Sequence, residues 1–151
     1  MPLPAEPGGF MQCAQHALDM AVRDAHDAVL VLWQIEPRVD GSGLRADDIA
    51  VFANTLRDVL RDSDIIGRLD DTRFAALLTG IQRDDVDHVI ARVHSTLDAR
   101  AAMRVRPSRI PCHAATARRS GASHPRMAEL VAEASAMLDA LLRNERHRNR
   151  R

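Results

Sequence analysis

The chain has 151 residues, 46% of them apolar, and its 21 basic residues balance 21 acidic ones, so the formal net charge is zero. That is the length and composition of one globular domain with a core, not of a disordered chain. A neutral molecule has no overall electrostatic pull toward nucleic acid or an anionic membrane, so neither is expected as a partner. Every basic residue is an arginine, which excludes lysine-based catalysis. No apolar run reaches the ~18 residues of a membrane span and no signal peptide is visible, so a cytoplasmic location is expected. Cys13 and Cys112 lie far apart in apolar sequence and are expected as two buried thiols.

Residues 1–9 are rich in proline and are expected as a flexible leader. From Phe10 to Val22 apolar residues recur at helical spacing, as Phe10, Ala14, Ala17, Leu18, Ala21 and Val22. Residues 28–32 are continuously apolar and lead into Trp33, which predicts a buried strand, with residues 37–43 as the loop after it. Ile49, Phe52, Leu56, Val59 and Leu60 mark one face of a second helix, with Asp47 or Asp48 as its N-terminal cap. Residues 65–69 and 74–78 are short apolar runs on either side of Asp70-Asp71-Thr72-Arg73, the pattern of a β-hairpin.

Val86, Val89, Ile90, Val93 and Leu97 give a third helical stripe, with Asp84 or Asp85 expected to cap it. Residues 110–117 form a weaker strand. Met127, Leu130, Val131, Met137, Leu138, Leu141 and Leu142 give the last helix, capped by Ser123 with Pro125 in its first turn. The order α-β-α-β-β-α-β-α predicts a single α/β (α+β) domain over residues 10–143, a mixed sheet with helices packed on it. Residues 144–151 form a basic C-terminal tail. It reads as a solvated helix end, since no aromatic residue is interleaved for base stacking.

The stretch from Leu56 to Gly80, LRDVLRDSDIIGRLDDTRFAALLTG, resembles the central segment of GGDEF domains, the diguanylate cyclases. There a helix ends in L-R-x-x-D and is followed by a short strand, an arginine, the G-G-D/E-E-F turn and an apolar strand. Val29 to Glu36 is similar to the first strand of that family, which ends in D-[LI]-D. Val86 to Leu97 resembles the next helix, His113 to Ala117 the S-x-G-x-A strand, and residues 136–140 the A-[LM]-Y-x-A of the last helix. The resemblance covers roughly residues 10–150. It implies a central, mostly antiparallel sheet flanked by helices, akin to adenylyl cyclase cores.

That family joins two GTP molecules into cyclic di-GMP across a homodimer, using divalent metal held by carboxylates. Aligned on Phe74, the signature turn here reads Asp70-Asp71-Thr72-Arg73-Phe74. Aspartates stand where glycines let phosphates approach the backbone, and they are expected to keep the turn by tolerating a left-handed conformation. Thr72 and Arg73 replace the acidic pair, Gln34 the leading acid of D-[LI]-D, and only Glu36 keeps a carboxylate. The guanine-gripping loop is shortened and Leu141 stands at the place of a phosphate-binding lysine. A slide of two residues would put Asp70 and Asp71 in the acidic slots, but would also turn Phe74 to the wrong face. The resemblance therefore implies a degenerate domain with no catalytic residues, no metal and no cofactor.

One motif of the family matches in full. Arg61-Asp62-Ser63-Asp64 reads R-x-x-D, five residues before the turn, and Arg92 follows at the distance of a third contributor. In the family this is a second cyclic di-GMP site. Arginine suits it, because its planar fork bonds phosphate or guanine edges and stacks on bases; Asp64 would accept guanine N–H groups. The bland alternative is a surface ion pair worth ~0–1 kcal/mol. The expected partners are cyclic di-GMP and a protein, with a homodimer left open. No fused sensor is visible, so a signal is expected to enter through a partner on the first helix or through ligand. A nucleotide-independent scaffold is the alternative function. The seven histidines show no ligand spacing, and His113 reads as a packed or surface histidine.

Overall fold

The computed structural model describes residues 7–36, 46–104, 109–119 and 124–150, the side chains of Pro7 and Arg83 aside. Its elements are α1 (Pro7–Arg23), β1 (Ala28–Ile35), α2 (Ala46–Val59), β2 (Ile65–Arg68), β3 (Arg73–Thr79), α3 (Arg83–Ala102), β4 (Cys112–Arg119) and α4 (Met127–Asn149). The order is the one the apolar periodicity predicts. The strands form one sheet in the order β2-β3-β1-β4.

Strand β1 is continuously apolar because both of its faces are covered. Val29, Val31, Trp33 and Ile35 join the core formed with Phe52 and Leu56 of α2 and with Val86, Val93 and Leu97 of α3. Ala28, Leu30 and Leu32 join Phe10, Ala14 and Leu18 of α1 and Met127, Leu130, Ala134 and Leu138 of α4. Each large side chain fully buried this way contributes roughly 1.5–3 kcal/mol. The aromatic residues concentrate on the α2–α3 side: the Phe52 ring lies 6.1 Å from Trp33 and 5.1 Å from Phe74, centroid to centroid.

Every described strand pair is antiparallel, which corrects the expectation of a mixed sheet. Strands β2 and β3 pair as a hairpin, and β1 lies between β3 and β4, each running against it. Other boundaries shift for local reasons. Helix α1 begins at Pro7, inside the segment expected as leader, because proline at a first helical position forfeits no hydrogen bond. Asp47 and Asp48 lie within the first turn of α2 and bond Arg104, at 3.3 and 2.5 Å, rather than standing before the helix as caps.

Asp84 and Asp85 likewise sit inside the first turn of α3, behind the N-cap Gln82, where they complement the helix dipole. Ser123 and the loop 37–43 lie outside the described residues. Pro125 precedes α4, whose first N–H, on Met127, donates to Gln15 Oε1 of α1 at 2.8 Å. Strand β4 starts at Cys112, and α4 continues through the arginines of the basic segment as far as Asn149. Cys13 is exposed, since position 13 falls off the apolar stripe of α1. Cys112 is half-buried, and burial pushes its thiol up to about 12, so it stays protonated. Among the described residues no helix is long and apolar enough to cross a membrane.

Gly67 fixes how α1 lies on β2. A Cβ there would stand 2.4 Å from Phe10 Cβ, and Phe10 is fully buried. Gly67→Ala should therefore destabilise the fold by roughly 1–3 kcal/mol through overpacking. A lowered urea midpoint with unchanged slope is the expected reading.

Candidate functional site

The turn between β2 and β3 carries the aspartates that replace glycine, and it forms without glycine's freedom. Among the described residues only Ala25 (φ 55) and Gly80 (φ 65) have positive φ, so Asp70 and Asp71 are not left-handed as the sequence suggested. Asp70 instead turns its carboxylate inward. Its Oδ1 accepts the Thr72 N–H at 2.9 Å, the Arg73 N–H at 2.9 Å and the Thr72 hydroxyl at 3.2 Å. This is an Asx-type turn, in which a side chain does the work of a backbone acceptor. Arg68 clamps it from outside, donating from Nε to the Asp70 carbonyl at 3.0 Å and from Nη2 to the Asp71 carbonyl at 2.9 Å. The Arg68 guanidinium also lies 5.7 Å from the centroid of the Phe74 ring.

Phe74 is buried in β3, opposite Trp33 on β1 and Arg68 on β2. That position puts Arg73 opposite Gln34 in the β1–β3 ladder. The two side chains meet: Arg73 Nε donates to Gln34 Oε1 at 2.6 Å. The same guanidinium donates from Nη2 to Asp139 Oδ1 of α4 at 2.5 Å. Arg73 thus spans β1, β3 and α4, with its side chain only 20% exposed. Gln34 Nε2 donates to the Ile35 carbonyl at 3.3 Å, which holds the amide with its oxygen toward Arg73.

The resemblance to GGDEF domains implies a divalent cation at this position. The residues present do not fit one, because the groups that converge are one amide oxygen, one carboxylate oxygen and a guanidinium. Hard cations such as Mg²⁺ need several oxygen ligands and are repelled by a fixed positive charge. Among the described residues no group of three or more His, Cys, Asp or Glu side chains is placed to hold a metal ion.

The R-x-x-D motif closes the corner between α2 and β2. Asp64 Oδ2 accepts the Arg61 backbone N–H at 2.8 Å, and Oδ1 accepts Arg61 Nη2 at 3.0 Å. Arg61 Nη2 also donates to the Thr79 carbonyl at the end of β3, at 2.9 Å. The Asp64 side chain is 3% exposed and that of Arg61 is 52% exposed. Asp64 is therefore a buried anchor, not the surface acceptor the motif suggested, while Arg61 keeps an exposed flank. Arg92 is exposed on α3, and no hydrogen bond or ion pair joins it to Arg61 or Asp64.

Next to the Gln34–Arg73 pair, the start of β4 and the end of α4 enclose a cleft of about 280 Å³. Glu36, Arg109, Cys112, His113, Glu145 and Arg146 line it. His113, opposite Gln34 in the β1–β4 ladder, reaches Glu145 Oε2 at 2.8 Å. His94 of α3 belongs to the same neighbourhood. Its imidazole is held below its ordinary value of 6.5, first by burial and further by His113 and Arg109, against the opposing pull of Asp98.

Sequence reading located the turn, Arg61 and Gln34, but not the roles of Arg68 and Asp139. Asp139 stood in the quoted last-helix pattern. Its position one residue after the buried Leu138 was the only sign that it could reach the sheet.

Residues 46–148 match the family described as diguanylate cyclase, GGDEF domain. No curated protein matches the chain in sequence. Among solved structures, the chain is similar to the active GGEEF domain of a diguanylate cyclase from Vibrio cholerae, with TM-score 0.80 and 15% identity over 95% of this chain and 93% of that one. It is similar to the GGDEF domain of DgcB from Caulobacter crescentus, solved in complex with c-di-GMP: TM-score 0.78, 17% identity, 94% of this chain and 85% of that one. It is also similar to the diguanylate cyclase SiaD from Pseudomonas aeruginosa, solved with its activator SiaC: TM-score 0.79, 18% identity, 94% of this chain but only 56% of that one. The chain thus spans little more than half of SiaD, and at these identities the likeness concerns the fold.

The lowered His94 value makes a prediction about pH. Unfolding restores an ordinary imidazole, so below pH 6.5 the unfolded chain binds a proton that the folded chain refuses. Stability is therefore lost as pH falls through 6.5 toward the depressed folded value. His94→Gln should flatten that part of the profile, read as urea midpoints at about pH 7.5 and about pH 5.5.

Proposed function

The chain belongs to the GGDEF family, and from that premise we propose that it is a signalling module that binds cyclic di-GMP through the R-x-x-D corner and does not synthesise it. The observation that carries this reading is the state of Arg61. Its guanidinium is fixed by Asp64 and by the Thr79 carbonyl, yet half of the side chain faces solvent. A pre-positioned fork with free N–H groups suits a phosphate or a guanine edge, since less ordering is needed on binding. In this reading Asp64 positions Arg61 rather than touching ligand, and Arg92 supplies a second guanidinium from α3. The DgcB domain solved with c-di-GMP makes the ligand class a natural one to test.

Loss of synthesis is the other half of the proposal. Two triphosphates must be neutralised for the reaction, and Arg73 with Gln34 offers no carboxylate for a metal. Asp70 and Asp71 add negative charge where phosphates would approach the turn. A cytoplasmic location follows from the ligand class. A protein partner is expected as well, as SiaD was solved with its activator. A nucleotide-independent scaffold is the second reading. The burial of Asp64 favours it, because both carboxylate oxygens are already spent on Arg61.

Calorimetric titration of cyclic di-GMP at physiological salt should give low-micromolar binding. Arg92→Ala, which breaks no described contact, should weaken it at least tenfold, or ~1.4 kcal/mol. Arg61→Ala should abolish it. Absence of any heat with the wild type would leave the scaffold, and cyclic di-GMP made from GTP and Mg²⁺ would sink the non-catalytic half.

A further inference from the structure

We infer that the guanidinium of Arg73 is a tethered replacement for a bound cation: the fold keeps a positive charge between β1, β3 and α4, but carries it covalently. This deepens the non-catalytic reading of the same turn and rests on it. The geometry is specific. Gln34 and Arg73 are direct partners in an antiparallel ladder, and Asp139 approaches from α4 to accept from the neighbouring nitrogen of the same guanidinium. Two oxygens from two elements thus converge on one charge held on a third.

Charge balance explains why Gln34 and Arg73 suit one another in this chain. A guanidinium carries one positive charge and Asp139 supplies one negative charge. A neutral amide at Gln34 completes the set without leaving an excess. A carboxylate at position 34 would overcharge it. A carboxylate at position 73 would face Asp139 with no cation between them, and like charges that close disfavour each other. Such a pair becomes tolerable only when a hard cation of higher charge, coordinated by oxygen, enters. Arg73 therefore does what a metal would do for cohesion at this end of the sheet and can do nothing of what a metal does in phosphoryl chemistry. The hairpin and α4 are held together without dependence on metal supply.

The test is to return the charge to a mobile ion. In Gln34→Asp/Arg73→Glu, the two new carboxylates and Asp139 make an oxygen-lined site on three elements. Mn²⁺, followed by its electron paramagnetic signal, should bind that variant with a dissociation constant on the order of 10⁻⁴–10⁻³ M, the range of weak oxygen-ligated sites. Mn²⁺ should also raise its melting temperature. Adding Asp139→Asn should remove both effects, and the wild type should show neither. Failure of the folded double variant to bind Mn²⁺ overturns the inference.

If that variant does not fold, the wild type decides. Its Arg73 Nε–H resonance should be slow to exchange and insensitive to millimolar Mn²⁺. Paramagnetic broadening centred on Gln34 and Asp139 would overturn the inference, because a metal would then occupy the place assigned to Arg73. Cyclic di-GMP production by the wild type is a separate outcome. It would refute the non-catalytic reading itself, independently of where Mn²⁺ binds.

Discussion

Strand β1 is buried on both faces, and its register with β3 follows from that burial. Shifting the pairing by one residue would send Val31 and Trp33 toward α4 and Leu30 and Leu32 toward α2 and α3, into the wrong core. The register that avoids this sets Trp33 against Phe74 and, one step further, Gln34 against Arg73. The polar site is thus the continuation of an apolar ladder. Its two central residues meet because the seven pairs from Ala28 to Gln34 leave them nowhere else to go.

Around that ladder, arginine does the cross-linking. Arg68 bonds two carbonyls of the turn, Arg73 joins an amide to a carboxylate, and Arg61 joins a carboxylate to a carbonyl. Arg104 of the segment after α3 reaches both Asp47 and Asp48 of α2. Arg68 and Arg73 each use the planar fork at two points, Nε and Nη2, which a lysine ammonium does not reproduce. A chain whose basic residues are all arginine can therefore replace special backbone geometry with side-chain clamps. The hairpin is the clearest case: the turn closes without a glycine because Asp70 supplies the acceptor and Arg68 ties down the carbonyls.

Much of this was legible in the sequence. The element order followed from apolar periodicity, since every helix has one buried stripe and β1 is unbroken. The place of the turn followed from Phe74, and the R-x-x-D corner from its spacing. What was not legible depended on partners distant in sequence. The pairing of Arg73 with Asp139 spans 66 positions, and the place of Asp139 beside Leu138 does not by itself name its partner. The burial of Asp64 arises because the Arg61 backbone N–H needs an acceptor at the end of α2, a demand visible only in three dimensions. Helix starts were misread for a similar reason. The aspartates near α2 and α3 serve the first turn from within, and the first N–H of α4 is capped by Gln15 from another helix.

The most direct measurement is a double-mutant cycle on Arg73→Met and Asp139→Asn, read by urea unfolding. If Arg73 is the charge that binds the hairpin to α4, the two substitutions should be coupled by about 1–2 kcal/mol. Additivity within about 0.5 kcal/mol would contradict the account, because Arg73 would then be a surface arginine resting near α4 and not the cation around which this end of the domain is built.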